Sequence, residues 1–254
     1  MITVPKYPEG RNLLRDKVVV VTAAAGTGIG SAAAKRCVEE GAHVLISDRH
    51  ERRLAATAEE LGVPSVPCDV TRDEDVQRLV DTAVTHYGRL DVLVNNAGLG
   101  GTASILDMTD DEWSRVLDVT LTGTFRATRA ALRRFAAQRT GGAIVNNASV
   151  LGWRAQEGQA HYAAAKAGVM ALTRCAAVEA AAYDVRVNAV APSLAMHANL
   201  AKVTSDELLA ELTARELTGR AAHPWEVANV MVFLASGYAS YLTGEVVSVS
   251  AQHA

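Results

Sequence analysis

The chain has 254 residues, 49% of them hydrophobic and 21% charged, with a formal net charge of −3. That length and balance fit one large α/β domain with an ample core, and the charge excludes the basic surface that nucleic acid or an anionic membrane would need. Three cysteines (Cys37, Cys68 and Cys175), odd in number and without a Cys-x-x-Cys pair, point to neither a disulfide framework nor a zinc site.

Residues 1–16, with Pro5, Pro8 and Gly10, read as an arm outside the core. Met1–Gly10 lacks a signal-peptide pattern and no uncharged apolar run reaches membrane-spanning length, so the expected location is the cytoplasm. Apolar, β-branched runs at Val18–Thr22, His43–Ser47, Val92–Asn95, Ala143–Asn147, Val185–Val190 and Glu245–Val249 read as strands covered on both faces. Between them lie helical patterns, three opened by Ser/Thr-x-x-Glu capping boxes: Thr71 with Glu74, Thr109 with Glu112, and Thr204 with Glu207. This alternation predicts the α/β class, with a Rossmann-type doubly wound parallel sheet in a single domain.

The first strand runs into Ala23-Ala24-Ala25-Gly26-Thr27-Gly28-Ile29-Gly30 and then a helix reaching about Glu40. Glycines there let the backbone approach a pyrophosphate lying on the positive helix N-terminus. Asp48, at the end of the second strand, is placed to accept hydrogen bonds from an adenosine ribose. Its carboxylate favours NAD(H), although the neighbouring Arg49 leaves NADP(H) open.

Tyr162 and Lys166 stand four apart in the Ala-rich stretch 159–182, which puts both on one helix face. An ammonium about 4 Å from a phenol is worth roughly 4 kcal/mol at an effective dielectric of 20, and ~1.4 kcal/mol moves a pKa by one unit. The pair is thereby expected to bring Tyr162 to where it exchanges protons with an alcohol or ketone oxygen. A buried tyrosine beside a snorkelling lysine fits the same spacing. A Ser149–His161 hydrolytic dyad does not fit, since His161 points about 100° away from Tyr162.

With Asn95-Asn96-Ala97-Gly98 closing one strand and Ser149 thirteen positions before Tyr162, the sequence from Lys17 to Val249 resembles the short-chain dehydrogenase/reductase family. It is most similar to bacterial 3-oxoacyl-thioester reductases and related alcohol dehydrogenases. The resemblance implies that Gly26, Gly28, Ile29 and Gly30 line the pyrophosphate and that Asp69 and Val70 contact the adenine. It places Asn96, Ala97, Gly98 and Pro192 along the cofactor. It further implies Tyr162 as acid–base catalyst, Ser149 as hydrogen-bond partner of the substrate oxygen, and Lys166 as holder of the nicotinamide ribose. No metal is implied, because the cofactor carries the hydride. Partners are then a small ketone, alcohol or acyl thioester, in a homodimer or homotetramer pairing through helices near 110–136 and 159–182 and through the C-terminal segment.

Several positions depart from the family pattern. Thr120 stands where an asparagine usually holds a relay water, and is expected to bind that water through its hydroxyl. Ser193 replaces a glycine, His197 stands at a nicotinamide-contacting threonine, and the C-terminus lacks Asp-Gly-Gly. Residues Ser193–Gly219 are expected to form the substrate lid, with a helix Ser205–Leu217 carrying Leu208, Leu209 and Leu212 on one stripe. The segment Pro192–His197 resembles actinobacterial reductases acting on coenzyme A thioesters in steroid or other ring catabolism. Arg126, Arg129, Arg133 and Arg134 read as a solvated or subunit-contacting face, and Cys175 as buried packing. A cofactor sensor or a structural subunit on the same scaffold is the alternative to an enzyme.

Overall fold

Consecutive valines at Val18–Val21 alternate their side chains between two faces, and both faces are covered by apolar helices. The structure is a computed structural model and describes residues 3–196 and 206–252. Its strands are β1 (Val18–Val21), β2 (His43–Asp48), β3 (Ser65–Pro67), β4 (Val92–Asn95), β5 (Gly142–Asn147), β6 (Val185–Pro192) and β7 (Val246–Val249). They form one parallel sheet in the order β3-β2-β1-β4-β5-β6-β7. β3 is absent from the runs read in the sequence, because three residues with a terminal proline carry too little pattern to register.

The helices are α1 (Ile29–Glu39), α2 (Glu51–Leu61), α3 (Asp73–Tyr87), α4 (Asp110–Leu117), α5 (Gly123–Gln138), α6 (Ala160–Ala180), α7 (Asp206–Ala214) and α8 (Pro224–Ala235). Val19, Val21, Val92, Val94 and Val145 face α1 and α8, meeting Ala33, Ala34, Val227 and Met231. Val18, Val20, Leu93 and Ile144 face α3, α5 and α6, meeting Leu79, Phe135 and Ala177. The strands at the centre of the sheet thus contribute to two cores, which explains their runs of consecutive apolar residues. Strand order reverses between β1 and β4, and the crevice beyond their carboxyl ends is where ligands of such sheets sit.

Of the capping boxes, Thr109 with Glu112 forms as expected: Thr109 Oγ1 accepts from the Glu112 N–H (3.2 Å) and the Glu112 carboxylate from the Thr109 N–H (2.9 Å). The box at Thr71 does not form. α3 starts at Asp73, and the Thr71 hydroxyl donates to Asp69 (2.8 Å), a nearer acceptor within its own turn. Thr204 and His197 lie outside the described residues. The helix expected over Ser205–Leu217 is the shorter α7, with Leu208, Leu209 and Leu212 half-buried. Cys175 is exposed, contrary to expectation, because its face of α6 turns from the sheet. Arg126 pairs with Asp118 (2.8 Å) and Arg129 with Asp73 (2.7 Å), so part of the basic row is spent on contacts within the chain.

Candidate active site

The turn after β1 owes its shape to a few close contacts. Ala23 adopts a left-handed φ of 50°, and a Cβ added to Gly30 would lie 2.3 Å from the Ala23 carbonyl oxygen and 2.4 Å from Asn96 Nδ2. Gly30 is therefore the only residue type that fits, and it lets α1 start directly beneath the turn. Asn96 Nδ2 donates to the Ala23 carbonyl (2.9 Å), and Thr22 Oγ1 accepts from the N–H groups of Asn96 (3.0 Å) and Ala97 (3.2 Å). Together they join the ends of β1 and β4.

Among the described residues, a Cβ on Gly28 would meet nothing within 4 Å, and no side chain caps the N-terminus of α1. The turn is thus open on the side where an anion would rest against the helix N–H groups. On its other flank Asp48, buried at 9% exposure, accepts from the His50 N–H (2.9 Å) through one oxygen and the Ala25 N–H (3.3 Å) through the other. Arg49 beside it is exposed. Asp69 and Val70 follow β3, with the Asp69 N–H donating to Asp75 (3.1 Å). Pro192 closes β6.

Beyond β5 lies the second cluster. Ser149 is extended and nearly buried, and its hydroxyl accepts from the Leu151 N–H (3.2 Å). Tyr162 and Lys166 lie on successive turns of α6, with Lys166 Nζ 5.5 Å from the Tyr162 ring centroid. The ammonium donates to the Asn147 carbonyl (2.5 Å). Burial pushes the Tyr162 phenol up to about 12, opposed by its hydrogen-bond partner Ser149, and brings Lys166 down to about 8. The sequence-based expectation was an ammonium drawing the phenol down. In the protein by itself desolvation penalises both charged forms and sets the direction of both shifts.

Gly98 and Gly100 carry the chain over this pair: a Cβ at Gly98 would sit 3.4 Å from Lys166 Nζ, and one at Gly100 3.9 Å from Tyr162 Cδ2. Thr120, fully buried in a π-helical turn (Asp118–Thr122) between α4 and α5, holds this segment. Its hydroxyl accepts from the Leu99 N–H (3.0 Å) and donates to the Leu99 carbonyl (3.2 Å). Its one proton is therefore committed to the backbone, and a single lone pair is left for any further contact.

Two residues that the sequence did not single out also belong here. Asn147 binds Lys166 through its carbonyl and Asn96 through its amide, and two consecutive asparagines ending an apolar strand were the available signal. Glu216, buried at 4% exposure, accepts from Ser193 Oγ (3.1 Å), the Leu194 N–H (3.3 Å) and Gln252 Nε2 (2.8 Å). It fastens the end of the Ser193–Gly219 segment to the C-terminal stretch. Nothing in its local sequence marks a carboxylate for burial.

A turn open to a pyrophosphate, an acceptor carboxylate at the end of the next strand, and a phenol–amine pair on the helix after β5, three strands across the sheet, define a dinucleotide-dependent oxidoreductase. Comparison with known proteins makes the class specific. The family described as enoyl-(acyl carrier protein) reductase matches residues 23–251. A Mycobacterium tuberculosis protein named (5R,7aS)-5-hydroxy-7a-methyl-1-oxo-2,3,5,6,7,7a-hexahydro-1H-indene-carboxyl-CoA reductase is 65% identical over 255 residues, covering 98% of this chain and 97% of its own. The cis-4-hydroxycyclohexanecarboxylate dehydrogenase of Sinomonas cyclohexanicum is 42% identical over 239 residues, covering 92% of this chain and 95% of its own. A crystal structure of a short chain dehydrogenase from Mycobacterium smegmatis superposes with a TM-score of 0.89 at 58% identity, covering 99% of both chains. The chain belongs to the short-chain dehydrogenase/reductase family, whose members use NAD(P)(H).

Proposed function

We propose that this enzyme interconverts a secondary alcohol and a ketone on a hydrophobic ring carried as a coenzyme A thioester, with NAD(H) preferred. The observation that carries the reaction type is the Ser149–Tyr162–Lys166 cluster, set against the glycine segment Gly98–Gly101. The dinucleotide, when bound, supplies or accepts the hydride. The chain's own residues do the rest. Tyr162 exchanges the proton with the substrate oxygen at its phenol, and Ser149 donates a hydrogen bond to that oxygen. Lys166, fixed by the Asn147 carbonyl, opposes the upward shift of the phenol whenever it is charged and holds the nicotinamide ribose.

The ring substrate is supported by two relatives, whose names both specify a hydroxylated carbocycle bearing a carboxyl function. Apolar side chains stand exposed on the loops that follow the strand ends: Ile105 and Leu106 after β4, and Trp153 after Ser149. The Ser193–Gly219 segment would act as the lid, anchored by Glu216. For the cofactor, the Asp48 carboxylate would repel a ribose 2′-phosphate and accept from a 2′-hydroxyl. The test is the rate of NADH and NADPH oxidation with bicyclic keto-acyl coenzyme A thioesters, set against the free acids and simple ketones. A higher kcat/KM with NADPH would refute the cofactor choice, and no preference for the thioester would refute the substrate class.

A further inference from the structure

Asn147, the last residue of β5, is held by two different neighbours. Its backbone carbonyl accepts the Lys166 ammonium (2.5 Å), and its Nδ2 donates to Asn96 Oδ1 (2.9 Å). Asn96 in turn donates through Nδ2 to the Ala23 carbonyl (2.9 Å). That last contact fixes the orientation of both amides. A backbone carbonyl only accepts, so Asn96 presents its NH2 to Ala23 and its oxygen to Asn147. Asn147 must then turn its own NH2 toward Asn96, which leaves its Oδ1 on the opposite side. This oxygen is closed off from solvent and has no donor among the described residues. A buried acceptor of this kind is costly unless something completes it.

We infer that Asn147 is a cofactor-binding residue: its Oδ1 accepts a hydrogen bond from the nicotinamide-riboside half of the dinucleotide, while its carbonyl positions Lys166. The inference rests on the proposed function. β5 lies between β4 and β6, and its carboxyl end opens onto the crevice where ligands of such sheets bind. The riboside half, and not the adenosine half, is indicated because Asn147 is bonded to Lys166, the partner of Tyr162, whereas Asp48 stands three strands away at the end of β2. Both the ribose hydroxyls and the carboxamide NH2 of that half are donors, the type of group that a bare carbonyl oxygen lacks.

The test is a comparison of NADH and ADP binding, by fluorescence and calorimetric titration, for the wild type, Asn147→Ala and Asn147→Asp. ADP carries no nicotinamide riboside. Asn147→Ala should weaken NADH about tenfold, equivalent to ~1.4 kcal/mol, and leave ADP affinity unchanged. Asn147→Asp keeps an acceptor oxygen and loses the donor to Asn96, so its ratio of NADH to ADP affinity should stay near that of the wild type. Equal losses of NADH and ADP in Asn147→Ala would assign the residue a purely structural part through Asn96 and Ala23, and would overturn the inference. Unchanged NADH affinity would overturn it as well. Melting of the cofactor-free proteins establishes that each is folded, and Asn147→Ser, which should behave as Ala, replaces any variant that is not. A wild type that binds neither NADH nor NADPH would refute the proposed function instead.

Discussion

Thr120→Val removes a hydroxyl and keeps the shape of the side chain, at a site with no solvent access. Two hydrogen bonds disappear, the one accepted from the Leu99 N–H and the one donated to its carbonyl. At about 1 kcal/mol net for each, the variant should lose about 2 kcal/mol of stability. For a domain of this size a loss of 1 kcal/mol lowers Tm by roughly 2–4 °C, so the expected fall is about 4–8 °C. Turnover should fall several-fold too, because the segment released at Leu99 follows Gly98, which packs against Lys166. Thr120→Ser keeps both hydrogen bonds and loses one buried methyl, about 0.8 kcal/mol, and should fall between the two. Calorimetric melts and steady-state kinetics on the three proteins check this. If Thr120 served only to hold a relay water, Thr120→Val would slow turnover with Tm unchanged, and that result would refute the clamp.

Tyr162→Phe should abolish most turnover while NADH binds with wild-type affinity, since only the proton-transfer group is lost; near-normal kcat would place the chemistry elsewhere. Gly30→Ala should destroy cofactor binding or the fold, because the new Cβ has backbone on one side and Asn96 on the other, and circular dichroism with NADH titration decides which. Lys166 is depressed from 10.5 to about 8, so between those values the unfolded chain binds the extra proton and stability from this group rises with pH. Lys166→Met should therefore be more stable than wild type at pH 7, with the advantage fading towards pH 10.5 in melts across that range. Tyr162 has the opposite sign: raised from 10.0 to about 12, it contributes stability below pH 10 that is lost as pH climbs to 12. The protein should sediment as a dimer or tetramer at micromolar concentration, burying Val178 of α6 and Tyr238 and Tyr241 after α8, which are 79%, 76% and 100% exposed in the single chain.

What the sequence determined by itself is the material of local and periodic rules. Apolar strand runs fixed the class and parallel sheet; the glycine turn with Asp48 and the Tyr162–Lys166 spacing marked the two halves of the candidate site. Such features are legible because four residues on a helix, or a turn followed at once by a helix, have one geometry whatever surrounds them. Tertiary structure decided the rest. Whether Thr71 caps a helix depended on Asp69 offering a nearer acceptor, and whether Cys175 was buried depended on which face of α6 meets the sheet. The protonation of Tyr162 and Lys166 turned on how much water the fold removes, which no spacing encodes. Thr120 with Leu99, and Lys166 with Asn147 and then Asn96, join residues about 20 to 50 positions apart. Hydrogen bonds of that kind exist only once separate elements have been brought together, so the sequence could single out Ser149, Tyr162 and Lys166 as candidates but not what holds them.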